Sequence, residues 1–287
     1  MHGVYHRLMY FTLPNFDLAA FIAATLAEDL GTGGDITSAA VIPAEARLDA
    51  VLSCRDGVVV AGGGIAAAFF RALDPHVTIE PLVADGHYVG EGTALLRIAG
   101  NARALLAAER SALNTMQHLT GIATLTRAYV EKIAGTGATL LDTRKTLPGL
   151  RVLEKYATRL GGATNHRLRL DDGVMIKDNH IAAAGGIVAA VSAAKRAGLT
   201  GIVVEIDRID QIEPALHAGA DRLLLDNLSV PVLHEAVALI GGRVPTEASG
   251  GVRLDTSRAI AETGVTFISV GRITQSAPAA DIGMDYV

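Results

Sequence analysis

The chain has 287 residues, half of them hydrophobic and 19% charged, which suffices for one sizeable core and a smaller second one and excludes a disordered protein. A net charge of −5, from 25 lysines and arginines against 30 acids, excludes a surface shaped throughout for nucleic acid. The single cysteine, Cys54 in the apolar run 51–54, excludes an intramolecular disulfide and reads as a buried, inert thiol.

In chain order, residues 1–7 lack the lysine-rich start and apolar core of a signal peptide. The uncharged runs 57–70 and 180–194 are glycine-broken and shorter than the ~20 residues a bilayer requires. The expectation is a soluble cytoplasmic protein with no membrane partner. Phe16 to Leu30 has a helical pattern. Val41 to Val60 and His76 to Ile98 are strand-like, punctuated by the turn signals Asp56-Gly57, Asp85-Gly86 and Gly90-Glu91-Gly92. Ala102 to Ala134 carries apolar residues at helical spacing in two stretches separated at Thr120-Gly121.

Six units of short apolar run, polar end and helix follow. The runs begin at Ala138, Val174, Ile202, Arg222, Val244 and Thr266. From Lys177 the polar ends recur after 28, 21, 23 and 22 residues at Glu205, Asp226, Ser249 and Gly271, about one strand, one helix and two loops each. Runs without alternation imply strands covered on both faces. Such a series describes a barrel or a doubly wound sheet, and both place their chemistry at the strand C-termini. No Gly-x-Gly-x-x-Gly follows a strand, and Gly62-Gly63-Gly64 lacks the architecture for one, which favours a barrel. With six clear units the barrel is expected to be incomplete. The expected domains are an α/β domain over 15–120, completed by 275–287, and a barrel over 121–274.

Charge is unevenly spread. Residues 110–177 hold eleven lysines and arginines against five acids, a local +6 that leaves −11 elsewhere. A basic island in an acidic chain points to a small, multiply anionic ligand. Arg151, Lys155 and Arg159, four residues apart, read instead as a solvated helix face. At the strand ends, Arg144, Lys145, His166, Arg167 and Lys177 would meet Glu205 and Asp226 around one mouth. Guanidinium and ammonium groups grip carboxylates and phosphates. The acids can accept from sugar hydroxyls, offset developing positive charge or hold a divalent cation. Ser249-Gly250-Gly251 and Gly271 offer backbone N–H groups to a phosphate. The set fits a phosphorylated sugar and an anionic co-substrate. Taken singly, each member has a structural explanation: His118 as a core histidine, Asp142 and Asp178 as orienting carboxylates, Ser-Gly-Gly as a turn. No HExxH, paired CxxC, Walker loop or nucleophile elbow occurs.

Glu109-Arg110-Ser111-Ala112-Leu113-Asn114, Gln117-His118-Leu119-Thr120-Gly121, Leu141-Asp142-Thr143-Arg144-Lys145-Thr146, Asn165-His166-Arg167, Ile176-Lys177-Asp178-Asn179-His180, Leu225-Asp226-Asn227, Glu247-Ala248-Ser249-Gly250-Gly251 and Ile268-Ser269-Val270-Gly271 together resemble the quinolinate phosphoribosyltransferases. The likeness runs from about Asp29 to Asp285. It implies an N-terminal α/β sandwich with an open, incomplete α/β barrel. It assigns Arg110, Thr143, Arg144, His166, Arg167 and Lys177 to quinolinate. Lys145, Glu205, Asp226, Ser249, Gly250, Gly251, Val270, Gly271 and Arg272 fall to phosphoribosyl pyrophosphate and its magnesium (Mg2+), with Glu205 and Asp226 meeting the metal mainly through the bound pyrophosphate. Lys145, Lys177, Glu205 and Asp226 would be catalytic, and Lys177 or His166 would deliver a proton to the ring after decarboxylation. A homodimer is implied, with Arg110 reaching the neighbouring active site. Three positions depart from the family pattern: Gln275 stands where a histidine is common, and Arg169 and Arg272 replace smaller residues. The rival expectations are a molybdenum-uptake-associated paralogue with another acceptor, a non-catalytic phosphosugar sensor, and a barrel aldolase using Lys145 or Lys177 as a Schiff base.

Overall fold

The computed structural model describes Leu13 and residues 15–287 and divides into two compact units. The first contains residues up to 125 together with 152–161 and 277–287; the second contains 126–151 and 162–276.

The first unit opens with helix α1 (Leu18–Leu30), whose N-cap Asp17 accepts from the Ala20 N–H at 2.9 Å, and the short α2 (Ile36–Val41), capped likewise by Asp35. Its main sheet is built from β1 (Arg47–Cys54), β3 (Thr78–Pro81), β5 (Ala94–Asn101) and β12 (Ile282–Tyr286), in the order β12-β1-β5-β3 and antiparallel throughout. Alternation along β1 buries Ala50, Leu52 and Cys54 completely, and the Cys54 thiol is free. A small ladder joins β2 (Val58–Val59) to β4 (Tyr88–Val89), and α3 (Gly63–Leu73) buries Ile65, Ala66, Phe69 and Phe70. Asp85 accepts from the Gly62 and Gly63 N–H groups at the start of α3 and from the Tyr156 hydroxyl at 2.6 Å. Burial raises the Asp85 carboxyl above its usual range despite these three donors, and burial beside Asp85 pushes the Tyr156 phenol up.

Three sequence expectations need correction here. Ala102 to Lys132 is one uninterrupted helix, α4, without a break at Thr120-Gly121. Gly121 is there for close approach: a Cβ at this position would overlap the carbonyl of Pro278. Helix α5 (Arg151–Gly161), expected inside the barrel domain, contributes 152–161 to the first unit, where Glu154 meets His118 Nε2 at 2.9 Å and Tyr156 reaches Asp85. Nor is α5 a solvated basic face. Lys155 is only 1% exposed, Arg151 is half-buried and donates to Thr146 Oγ1 and the Leu168 carbonyl, and Arg159 alone of the three is exposed.

The second unit is built on the strands β6 (Thr139–Leu141), β7 (Met175–Ile176), β8 (Val203–Ile206), β9 (Arg222–Asp226), β10 (Thr246–Ser249) and β11 (Phe267–Ser269). They form one parallel sheet in the order β6-β11-β10-β9-β8-β7. The helices are α6 (Asp178–Ala184), α7 (Ile187–Arg196), α8 (Ile212–Ala218), α9 (Val230–Ile240), α10 (Leu254–Ala261) and α11 (Arg272–Gln275). Strands β6 and β7 are the two edges, and β6 gains only an isolated bridge from Leu141 to Thr164, so the barrel is open. All six predicted runs are strands, and the fold is an α/β sandwich followed by an incomplete α/β barrel.

Helix propensity alone would make Gly121→Ala stabilising by up to about 1 kcal/mol. The Pro278 contact reverses that sign, and denaturant unfolding of the variant is expected to show a loss of about 1–3 kcal/mol. Gly90→Ala, surrounded by open space, serves as the control and is expected to be near neutral.

Candidate active site

Strand register decides which side chains point into the barrel. Glu205 and Glu247 both stand opposite Leu224, and Glu247 stands opposite Phe267; neighbours in register on parallel strands share a face. Two residues further on, Asp226, Ser249 and Ser269 form the next inward layer, with Asp226 opposite Ser249. Above them the strand-end loops supply Thr143, Arg144 and Lys145 after β6, His166 and Arg167 after Thr164, and Lys177 after β7. These residues line one cavity of about 810 Å³. Ser249, Gly250, Gly251, Val270, Gly271 and Arg272 line it as well.

Each cation is held by the local fold. Asp142, fully buried, accepts from the His166 backbone N–H at 2.8 Å and from Asn165 Nδ2 at 2.6 Å, fixing the turn that presents His166 and Arg167. Arg167 Nη1 donates to the Gly173 carbonyl at 2.8 Å. Partial burial, then the charge of Arg144, pulls the Arg167 guanidinium below its ordinary range, so the two cations feel each other. Arg144 Nε is buried without a hydrogen-bond partner. Lys145 lies against Gly271, where a Cβ would sit 2.6 Å from its Cδ. Its carbonyl accepts from Thr274 Oγ1 at 2.7 Å.

On the opposite wall, Lys177 Nζ pairs with Glu205 Oε2 at 3.2 Å. Asp226 Oδ2 accepts from Asn227 Nδ2 at 2.6 Å, and Asn227 adopts a left-handed φ of 55°, which an asparagine tolerates better than most residues. Six lysines and arginines face four carboxylates in this cavity, and two of the acids, Glu205 and Glu247, already have cationic partners. Chemically, the arrangement can grip a compound with adjacent anionic groups beside a second, phosphate-bearing one. Among the described residues, no group of three or more His, Cys, Asp or Glu side chains could hold a metal by itself.

Sequence comparison agrees with this geometry. The quinolinate phosphoribosyl transferase N-terminal domain profile matches residues 35–120 and the C-terminal domain profile matches 122–285. The chain belongs to the quinolinate phosphoribosyltransferase family. It is 41% identical to the chloroplastic nicotinate-nucleotide pyrophosphorylase [carboxylating] of Oryza sativa subsp. japonica over 94% of this chain and 78% of that one. It is 42% identical to a probable nicotinate-nucleotide pyrophosphorylase of Synechocystis over 91% and 90%. The solved nicotinate-nucleotide pyrophosphorylase of Ehrlichia chaffeensis superimposes with a TM-score of 0.91 at 38% identity, covering 95% of this chain and all of that one. The Francisella tularensis structure gives 0.90 at 36%, covering 97% of this chain and again all of that one.

Every family site residue assigned from sequence lines the cavity except Arg110, which is exposed on α4 in the first unit. Of the three departures from the family pattern, Gln275 and Arg272 line the cavity, whereas Arg169 is exposed and pairs with Asp171 at 2.8 Å. Sequence reasoning gave no role to Glu247, Arg222 or Asn227. For the first two the signal was parity: Glu247 lies two residues before Ser249 and Arg222 four before Asp226, so both share the inward face.

Replacing Asp142 with alanine strands two donors, the His166 backbone N–H and Asn165 Nδ2, each costing about 1–3 kcal/mol when left unsatisfied. Asp142→Ala is therefore expected to lose about 2–6 kcal/mol in denaturant unfolding.

Proposed function

We propose that this chain transfers the phosphoribosyl group of phosphoribosyl pyrophosphate to the ring nitrogen of quinolinate and removes one carboxylate, giving nicotinate mononucleotide, pyrophosphate and CO2. The observation that carries this is the Arg144–Arg167 pair: two mutually repelling guanidinium groups, one with a buried unpartnered N–H, are satisfied by a ligand with adjacent carboxylates. The family membership and the names of the relatives support the same reaction.

Arg144, Arg167 and Lys177, with His166 and Thr143, hold the diacid so that its ring nitrogen faces the anomeric carbon. Lys145 and the backbone N–H groups of Gly250, Gly251 and Gly271 hold the phosphates, assisted by Ser249, Val270 and Arg272. The nitrogen forms the new C–N bond as the anomeric carbon–oxygen bond breaks and pyrophosphate takes its electron pair. Glu205 and Asp226 offset the positive charge that develops on the ribosyl carbon. The pyridinium nitrogen then draws electrons from the adjacent carboxylate bond. CO2 leaves, and the ring carbon keeps the electron pair until an acid protonates it.

Two carboxylates suit a magnesium ion that keeps its waters and takes its remaining ligands from the donor substrate. Glu205 and Asp226 would hold it. When bound, Mg2+ supplies charge neutralisation to the pyrophosphate. The working assembly in this proposal is a homodimer in which Arg110 reaches the partner's site. A cytoplasmic location belongs to the same reading, supported by a lone free cysteine that needs no oxidising compartment. No helix among the described residues is long and apolar enough to cross a membrane.

Purified protein mixed with quinolinate, phosphoribosyl pyrophosphate and Mg2+ is expected to yield nicotinate mononucleotide, pyrophosphate and CO2 in equal amounts. Absence of product overturns the proposal. Arg167→Ala is expected to weaken quinolinate binding about 100-fold with the fold preserved, as calorimetric titration would show. Arg110 is tested by mixing inactive Arg110→Ala and Lys145→Ala chains. Subunit exchange should restore about a quarter of wild-type activity if the arginine acts across the dimer, and none if it acts within its own chain.

A further inference from the structure

The cavity lining includes Glu247, which with its partner Arg222 the mechanism above does not use. Glu247 is fully buried on β10. Its Oε2 accepts from Arg222 Nη1 at 3.2 Å, and the Arg222 guanidinium stacks over the Phe267 ring at 4.2 Å. Its Oε1 faces His166 Nε2 at 3.4 Å. Burial would raise the Glu247 carboxyl, but His166, Ser269 and Arg222 outweigh it and hold the group below the ordinary glutamate range.

The other ring nitrogen decides the state of His166. Its Nδ1 accepts from the Arg167 backbone N–H at 2.8 Å, and a nitrogen that accepts carries no proton. The proton of the neutral ring therefore sits on Nε2, which lies 3.4 Å from Glu247 Oε1 without the alignment of a hydrogen bond. Protonating Nδ1 as well would set two donors face to face and break the contact with Arg167. The charged groups around the ring include Glu247 on β10, Asp142 after β6 through the backbone N–H, and the adjoining Arg167. Arg222 on β9 acts through Glu247, and Arg144 acts on Arg167.

We propose that Glu247 is a positioning residue for quinolinate, its carboxylate and the Arg167 N–H together locking His166 in the neutral Nε2–H form so that the imidazole orients the His166–Arg167 turn and is not the acid that protonates the ring. This rests on the reaction proposed above. Glutamine at this position cannot serve both neighbours, because its carbonyl satisfies Arg222 only by turning its NH2 toward the Nε2–H of His166. The ring is then driven to its other tautomer and loses Arg167.

The test uses the full-length protein labelled with 15N-histidine, in which two-bond 15N–1H correlations report the protonated ring nitrogen and His166→Gln identifies the signal. Wild type is expected to show His166 as a single Nε2–H tautomer under the conditions of the activity assay. Glu247→Gln is expected to lose that tautomer and raise the KM for quinolinate roughly 10–100-fold, as outer partners of functional histidines do elsewhere. The KM for phosphoribosyl pyrophosphate should stay close to wild type. A doubly protonated or Nδ1–H His166 in wild type overturns the proposal. So does a Glu247→Gln protein with unchanged tautomer and unchanged quinolinate KM. Should Glu247→Gln fail to fold, the wild-type spectrum decides alone. If wild type makes no nicotinate mononucleotide, the assigned reaction fails, while the spectrum still judges the hold of Glu247 on His166.

Discussion

Like charges held close together repel, and in this barrel mouth the half-buried Arg144 and Arg167 feel each other's charge. The turn that carries Arg167 depends on Asp142, and the Arg167 guanidinium on the Gly173 carbonyl. A folded protein tolerates such a cluster where a ligand of opposite sign completes it. The same requirement accounts for the division of the rim. Four of the six cations come from the loops after β6, Thr164 and β7, and the carboxylates Glu205 and Asp226 come from β8 and β9.

The framework that fixes this division is rigid because strand parity sets it. A one-residue slip of β10 would turn Glu247 and Ser249 out of the lumen together. Parity also explains why the lumen contains an ion pair at all. Arg222 and Glu247 are inward residues on adjacent strands, and an unpaired charge at either position would be costly. Lys145 illustrates a second kind of support, packed against a glycine and tied through its carbonyl to Thr274, so that its side chain is directed by van der Waals contact.

Strand ends were legible in the amino-acid sequence because buried parallel strands are short unbroken apolar runs and their polar terminators stand out. Thr143 to Lys145, Lys177, Glu205 and Asp226 were found in this way. Glu247 escaped because it lies inside such a run, where a lone acid gives no sign of the partner across the sheet. The break expected at Gly121 failed for another reason: glycine signals a turn and a close contact alike, and only the Pro278 carbonyl distinguishes them. Lys155 was misjudged because four-residue spacing reports one helical face and not whether another layer covers it. Arg110 was singled out by likeness alone, and its position on α4 in the first unit has no signature in spacing.

Strand β12 closes one edge of the first sheet, and its partner β1 was made far earlier: Arg55 and Asp285, which clasp the two together, are 230 residues apart. During synthesis the open side of β1 must therefore wait, hydrogen-bonding groups bare, while the whole barrel emerges from the ribosome. Loss of the final few residues would injure the half of the molecule that was translated first.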